Sequence, residues 1–159
     1  MLFVAAAALT LISGAAIAQT ASINVLEVFN GDTLSVAIQR ETLSVRLYGI
    51  DAPESGQHGN VAATRFLKRL IRDQVLRLQR QRTDQSERFM VIIIREGKES
   101  SVNAAMVANG YAWVNPQQCI EDVCVEWQQL ESQARALKLG IWSGYDLVPP
   151  WEFDARQRQ

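Results

Sequence analysis

From Ala21 to Ile50 the chain reads "ASINVLEVFNGDTLSVAIQRETLSVRLYGI", apolar and polar residues alternating around two turn signals, Asn30-Gly31-Asp32 and Gln39 to Thr42. A period of two broken by such turns suits antiparallel strands with one buried face, so three consecutive strands are predicted here. From Ala62 the spacing changes to the helical period, with Phe66, Leu67, Leu70 and Ile71 on one side and Arg65, Lys68, Arg69 and Arg72 on the other. Two further strand-like runs follow, "VLRLQRQ" from Val75 and "FMVIII" from Phe89. Ser100 or Ser101 can cap a short helix holding Val102, Ala105 and Met106, which Gly110 would end in the left-handed conformation. A last helix is expected from Val123 to Leu139, on Val123, Trp127, Leu130, Ala134 and Leu137, with Gly140 closing it. Five short strands and three helices make an α+β inventory, that of a five-stranded OB-type β-barrel whose closure removes exposed strand edges.

Composition narrows the chemistry. With 159 residues the chain is expected to form one domain, and its single His excludes any site built on two or more His ligands. Neither a glycine-rich phosphate loop nor a dinucleotide fingerprint occurs in the sequence. Met1 to Ala18 carry no charged side chain and end in Ala16-Ile17-Ala18, the pattern of a signal peptide, leaving 19–159 as the mature domain. Export to the periplasm or medium, with no stable membrane association after cleavage, is the expectation. An uncleaved anchor or a misassigned start is the alternative, because no Lys or Arg precedes the apolar run. In an oxidising compartment Cys119 and Cys124 would close a small disulfide loop; the alternatives are inert thiols or redox chemistry.

The net charge of -1 argues against binding a polyanion by bulk electrostatics, yet Arg65 to Arg82 holds seven positive residues against Asp73. That stretch is either a solvated face or a path that tracks phosphates. The four tryptophans, Trp113, Trp127, Trp142 and Trp151, read as core and helix anchors, and His58 as an exposed loop residue.

A register for the second hairpin follows from its apolar residues. If Ile38 faces Leu43, Val36 faces Val45 and Leu34 faces Leu47, then Asp32 lies opposite Gly49 and diagonal to Asp51. Diagonal neighbours are roughly 7 to 8 Å apart, so both carboxylates can share one site, with Glu54 further along the same loop. Two bare carboxylates about 5 Å apart repel by about 3 kcal/mol at an effective dielectric of 20, so a positive charge belongs between them. Hard oxygens suit Ca²⁺ or Mg²⁺ rather than Zn²⁺, and Arg46 and Arg88 are candidate fixed cations. The plainer alternatives are a turn role for Asp32 and solvated loop positions for Asp51 and Glu54. In this register Arg46 falls on the opposite pleat from Asp32 unless a bulge re-aims it.

The segments "NGDTLSV", "VRLYGIDAPE", "TDQSERF", "VNAAMVANGYAW", "GIWS" and "PPWEF" occur in the order, and near the spacing, of the staphylococcal nuclease (thermonuclease) family, which the chain resembles from about Ile23 to Phe153. The resemblance implies an OB-type barrel and a Ca²⁺-dependent phosphodiesterase acting on DNA and RNA. It implies Asp32, Asp51 and the carbonyl of Ala52 as Ca²⁺ ligands, Glu54 as the group that takes a proton from, or orients, the attacking water, and Arg46 and Arg88 as phosphate-binding catalytic residues. Products would end in a 3′-phosphate. A preference for single strands and a monomeric state are further expectations. Three departures accompany it: Asn30 replaces an acid before the glycine, Ser86-Glu87-Arg88 replaces tyrosine-glycine-arginine, and Val114-Asn115-Pro116 stands where the family carries tyrosines. Tyr111 and Trp113 are the aromatic candidates to contact substrate in their stead. The competing reading is a catalytically silent OB-fold module that binds nucleic acid or a protein through its basic face.

Overall fold

The first three strands are β1 (Thr20–Val28), β2 (Thr33–Ile38) and β3 (Glu41–Leu47), joined as consecutive antiparallel hairpins. They belong to a computed structural model that describes residues 20–84, 86–145 and 147–157. The signal peptide expected over Met1–Ala18 lies outside the described residues. Next come β4 (Ile50–Asp51), α1 (Asn60–Ile71), β5 (Leu76–Thr83), β6 (Phe89–Arg95), α2 (Val102–Ala108), β7 (Trp113–Val114), α3 (Val123–Ala136), a 3-10 turn (Gly140–Ser143) and α4 (Pro150–Gln157).

Strands β1, β2, β3, β6 and β5 close a barrel in that order, with β3 and β6 parallel and the other neighbours antiparallel. Its inner wall is the apolar half of each alternating run: Leu34, Val36, Val45, Leu47, Val91 and Ile93 are fully buried. A register shift in β1 between Val25 and Glu27 leaves both Leu26, 57 % exposed, and Glu27 outward and turns Val28 into the core, where strict alternation would put Glu27 in and Val28 out. Outside the barrel, β4 and β7 form a two-stranded ladder that pairs Asp51 with Trp113.

The hairpin register differs from the expected one by two residues. Leu34 pairs with Val45, Val36 with Leu43 and Ile38 with Glu41, because the turn is a tight two-residue connection in which Gln39 takes a left-handed φ of 55°. An even slip leaves every side chain on its expected face, so the core survives the correction. A second correction concerns α3, which ends at Ala136 rather than Leu139. Lys138, with φ 52°, takes the left-handed closing position assigned to Gly140, and Leu137 is 69 % exposed. Gly140 is needed for another contact: a Cβ there would lie 2.3 Å from the Gly110 carbonyl oxygen. A fourth helix, α4, was not expected; Pro150 stands at its first position, where a missing N–H costs nothing.

Helix α2 behaves as its sequence reads. Ser101 caps it by accepting from Ala104 N at 3.0 Å, and Gly110, φ 73°, closes it. It is buried almost all round, and Asn103, 0 % exposed, locks it to the barrel: Oδ1 accepts from Ile93 N, while Nδ2 donates to the carbonyls of Tyr48 and Val91. Cys119 and Cys124 form the expected disulfide. Beside it the buried Tyr48 hydroxyl accepts from the N–H groups of Ile120 and Glu121. Trp113, Trp127 and Trp142 are buried, as expected of core residues. Among the described residues no helix is long and apolar enough to cross a membrane.

Candidate active site

The Asn30-Gly31-Asp32 turn is shaped by its own side chains. Asn30 Oδ1 accepts from Asp32 N at 3.0 Å and from Thr33 N at 2.7 Å, a local bond that commits the chain to turn before β2 begins. Gly31 permits the turn to press on its neighbours, since a Cβ there would sit 2.6 Å from the Ala52 Cβ and 2.8 Å from the Ala63 Cβ. The result is that Asp32, 1 % exposed, faces the loop after β4. Its Oδ2 accepts from Ala52 N at 3.0 Å, its Oδ1 from the Thr33 hydroxyl at 2.7 Å, and its carbonyl from Leu47 N at 2.8 Å.

Arg46 closes the group. Its Nη2 donates to Asp32 Oδ2 at 3.3 Å and to Asp51 Oδ1, so one nitrogen bridges two buried carboxylates. No bulge is required: Thr33 pairs with Arg46, and Asp32 lies in the bend before the strand, where the alternation of faces does not apply. Asp51 is held from the other side by Asn115 Nδ2 at 3.3 Å from Oδ2. Glu54 stands half-buried on the same loop, whose course is fixed by Gln57 Oε1 accepting from Glu54 N and by Asn60 Nδ2 donating to the Pro53 carbonyl.

Arg88 reaches the site from the β5–β6 connection. Asp84 holds it, with Oδ2 accepting from Arg88 Nε at 2.9 Å and Oδ1 from the backbone N–H groups of Ser86 and Arg88. Between them Glu87 adopts φ 59°, a left-handed conformation natural to the glycine of the resembled family.

The electrostatics follow from crowding. Burial, then the neighbouring Asp32 charge, push the Asp51 carboxyl up to about 8, against the pull of Arg46. Burial and the charges of Asp32 and Asp154 also raise Glu54 above the usual carboxylate range, with Arg46 and Arg88 opposing. Burial works against the charge on Arg46, but Asp32, Asp51 and Glu54 outweigh it and hold the guanidinium protonated. Desolvation likewise acts against the Asp84 charge, yet the two N–H bonds and the Arg88 guanidinium hold that carboxyl below its ordinary range.

Asp32, Arg46 and Asp51 are thus in direct contact, and Glu54 lies in the field of Asp32, Arg46 and Arg88. Tyr111 and Trp113 have other engagements: Tyr111 stacks on Phe66 with centroids 4.3 Å apart, and Trp113, 2 % exposed, packs edge-on against Trp142. Trp113 serves the site through its backbone, paired with Asp51. Reading along the sequence missed Asp84, Asn115 and the α4 residue Asp154. An Asp four residues before an arginine and two before Ser86 is a recognisable turn signal; nothing local marks the other two.

A divalent cation suits this donor set. Two buried carboxylates share a single guanidinium nitrogen, a third acid stands nearby, and burial together with the Asp32 charge raises the Asp51 carboxyl despite Arg46. Among the described residues no three His, Cys, Asp or Glu side chains converge as ligands, so backbone, water or substrate oxygens would complete the six to eight that Ca²⁺ takes.

Residues 44–144 match the family model described as staphylococcal nuclease homologue. The chain is 30 % identical over 136 residues to a micrococcal nuclease of Shigella flexneri, covering 81 % of this chain and 78 % of that one. It is 34 % identical over 128 residues to an uncharacterized endonuclease of Escherichia coli, covering 80 % of each chain. A third relative, an uncharacterized endonuclease of Haemophilus influenzae, is 25 % identical over 135 residues, with 84 % of this chain and 73 % of that one covered. With a closed five-stranded barrel in place and this match to the family model and its relatives, the chain belongs to the staphylococcal nuclease family and is a hydrolase of the nuclease class.

Proposed function

We propose that this nuclease is a calcium-dependent phosphodiesterase that cleaves DNA and RNA and leaves 3′-phosphate ends. The observation that carries the reading is the Arg46 bridge. A cation held by two buried acids beside a third is costly to build for a passive fold and useful for a reaction that builds negative charge on phosphorus. Asp32, Asp51 and the Ala52 carbonyl would hold the ion. Bound there, Ca²⁺ supplies charge stabilisation for the phosphoryl oxygens and orients a water.

The remaining roles fall to the chain's own groups. Glu54, with its raised proton affinity, accepts the proton of the attacking water as the new P–O bond forms. The P–O5′ bond breaks, the 5′-oxygen leaves and takes up a proton, and the phosphate stays on the 3′-oxygen. Arg46 has a buried Nε with no partner among the described residues, a donor left for a phosphate oxygen. Arg88, held by Asp84 through Nε, keeps its terminal nitrogens for a second oxygen. Both offset the growing charge. The Cys119–Cys124 bridge supports the further reading that the chain works in an oxidising compartment, periplasmic or extracellular.

The experiment is digestion of end-labelled single-stranded DNA and RNA with Ca²⁺ or with EGTA, by the wild type and Glu54→Gln, followed by end-group analysis. The reading expects cleavage in Ca²⁺ alone, 3′-phosphate ends and a rate loss in the variant. Intact binding with no cleavage under any metal condition would favour the silent binding module.

A further inference from the structure

Resting on the nuclease reading, we infer that the groove between the Phe29–Asp32 turn and the exposed face of α1 is an extended subsite that takes one base and the neighbouring phosphates of a single-stranded polynucleotide. The groove has a volume of about 270 Å³ and is lined by Phe29, Asn60, Val61, Thr64, Arg65 and Lys68.

Three features identify the occupant. Phe29 is 52 % exposed, a large aromatic ring left in water just past the end of β1, and an unpaired base can stack on such a ring whatever its sequence. Arg65 and Lys68 stand one turn apart on the exposed side of α1, a helix whose twelve residues include no acid. Their spacing places both ammonium and guanidinium heads on one wall of the groove, where successive phosphates can be met. The third feature is continuity with the catalytic niche. One wall begins in the turn that carries Asp32, and the other begins at Asn60, whose Nδ2 fixes the Pro53 carbonyl next to Glu54 at 2.6 Å. Gly31 wedges these two walls together against Ala52 and Ala63. A strand cleaved at Glu54 therefore has a positively charged, aromatic-floored channel leading away from the cut.

A stacked base must be unpaired, so the subsite favours single strands over duplex. That is a property of the groove and is separable from the chemistry at Arg46.

The test compares the wild type with Phe29→Ala, Phe29→Trp, the double variant Arg65→Ala/Lys68→Ala, and Lys98→Ala, which removes a cation from the β6–α2 turn. Hydrolysis of a nitrophenyl ester of thymidine phosphate by the wild type checks the nuclease reading independently, because that substrate is too short to fill the groove. On a single-stranded oligonucleotide, Phe29→Ala is expected to raise KM about tenfold, Phe29→Trp to restore it, and the duplex to be little affected. The double variant is expected to flatten the slope of log KM against log salt by about 1.4, from about 0.7 per phosphate contact on a single strand. Lys98→Ala should leave both readouts at wild-type values. A KM for Phe29→Ala within twofold of wild type, or equal salt slopes for the double variant and Lys98→Ala, would overturn the assignment even if the short ester is still cleaved.

Discussion

Replacing Arg46 by Ala should damage stability and catalysis by separate amounts, and calcium should repair only the first. At 3.3 Å and an effective dielectric of 20 the Arg46–Asp32 attraction is about 5 kcal/mol before desolvation is counted. Removing one partner of a buried pair costs about 3 to 5 kcal/mol, because the abandoned acids keep their burial and lose their counter-charge. The lower end applies here, since burial and the Asp32 charge already favour the neutral form of Asp51. About 3 kcal/mol corresponds to a fall in Tm of about 10 °C for a chain of this size. Calorimetry in EDTA at neutral pH measures it. Added Ca²⁺ should recover more Tm in the variant than it adds to the wild type, since the same two carboxylates then have the ion as their only counter-charge. Cleavage in Ca²⁺ should nonetheless remain about a thousandfold slow, as for the loss of one donor to a transition-state oxyanion. A variant that keeps its Tm within 2 °C (about 0.6 kcal/mol) and its rate within tenfold would refute the assigned role.

Other outcomes follow from the same geometry. Asp84→Ala should lower kcat/KM about ten- to a hundredfold by freeing the Arg88 side chain, and Asp84→Ala/Arg88→Ala should cost little more than Arg88→Ala alone; additive losses would contradict the clamp. Glu87→Gly should stabilise the chain by about 1 kcal/mol by relieving φ 59°, read as a rise in denaturant midpoint without loss of activity. In EDTA, stability should fall as pH rises from about 4 to about 8: Asp51 is protonated in the folded chain across that window and ionised in the unfolded one. Asp51→Asn should flatten that slope in a Tm–pH series. Reduction of the Cys119–Cys124 loop should cost about 2 kcal/mol, measured by denaturant titration with and without reductant.

Much of this was legible along the chain. Strict alternation fixed which faces of β2 and β3 are buried, even though the tight Gln39 turn moved the pairing by two residues. Turn length, not pattern, decides an even slip, and the pattern is blind to it. The convergence of Asp32 and Asp51 was expected from a register that set Asp32 opposite Gly49, but the slip puts it against Leu47, whose N–H donates to the Asp32 carbonyl, and the two carboxylates meet through Arg46 instead. The direction of Arg46 was not legible, because Asp32 precedes the strand and escapes its alternation. Asn115, which restrains Asp51, comes from a segment 64 residues away that only the β4–β7 ladder brings close. Helix α4 carried too weak a period over eight residues to be read, so the approach of Asp154 to Glu54 went unseen.

The central claim is that Asp32 and Asp51 form one divalent-cation site over which Arg46 presides. Calcium titration by calorimetry on the wild type and on Asp32→Asn/Asp51→Asn tests it most directly. One ion per wild-type chain and no measurable binding in the variant is the expected result; equal binding in both would contradict it.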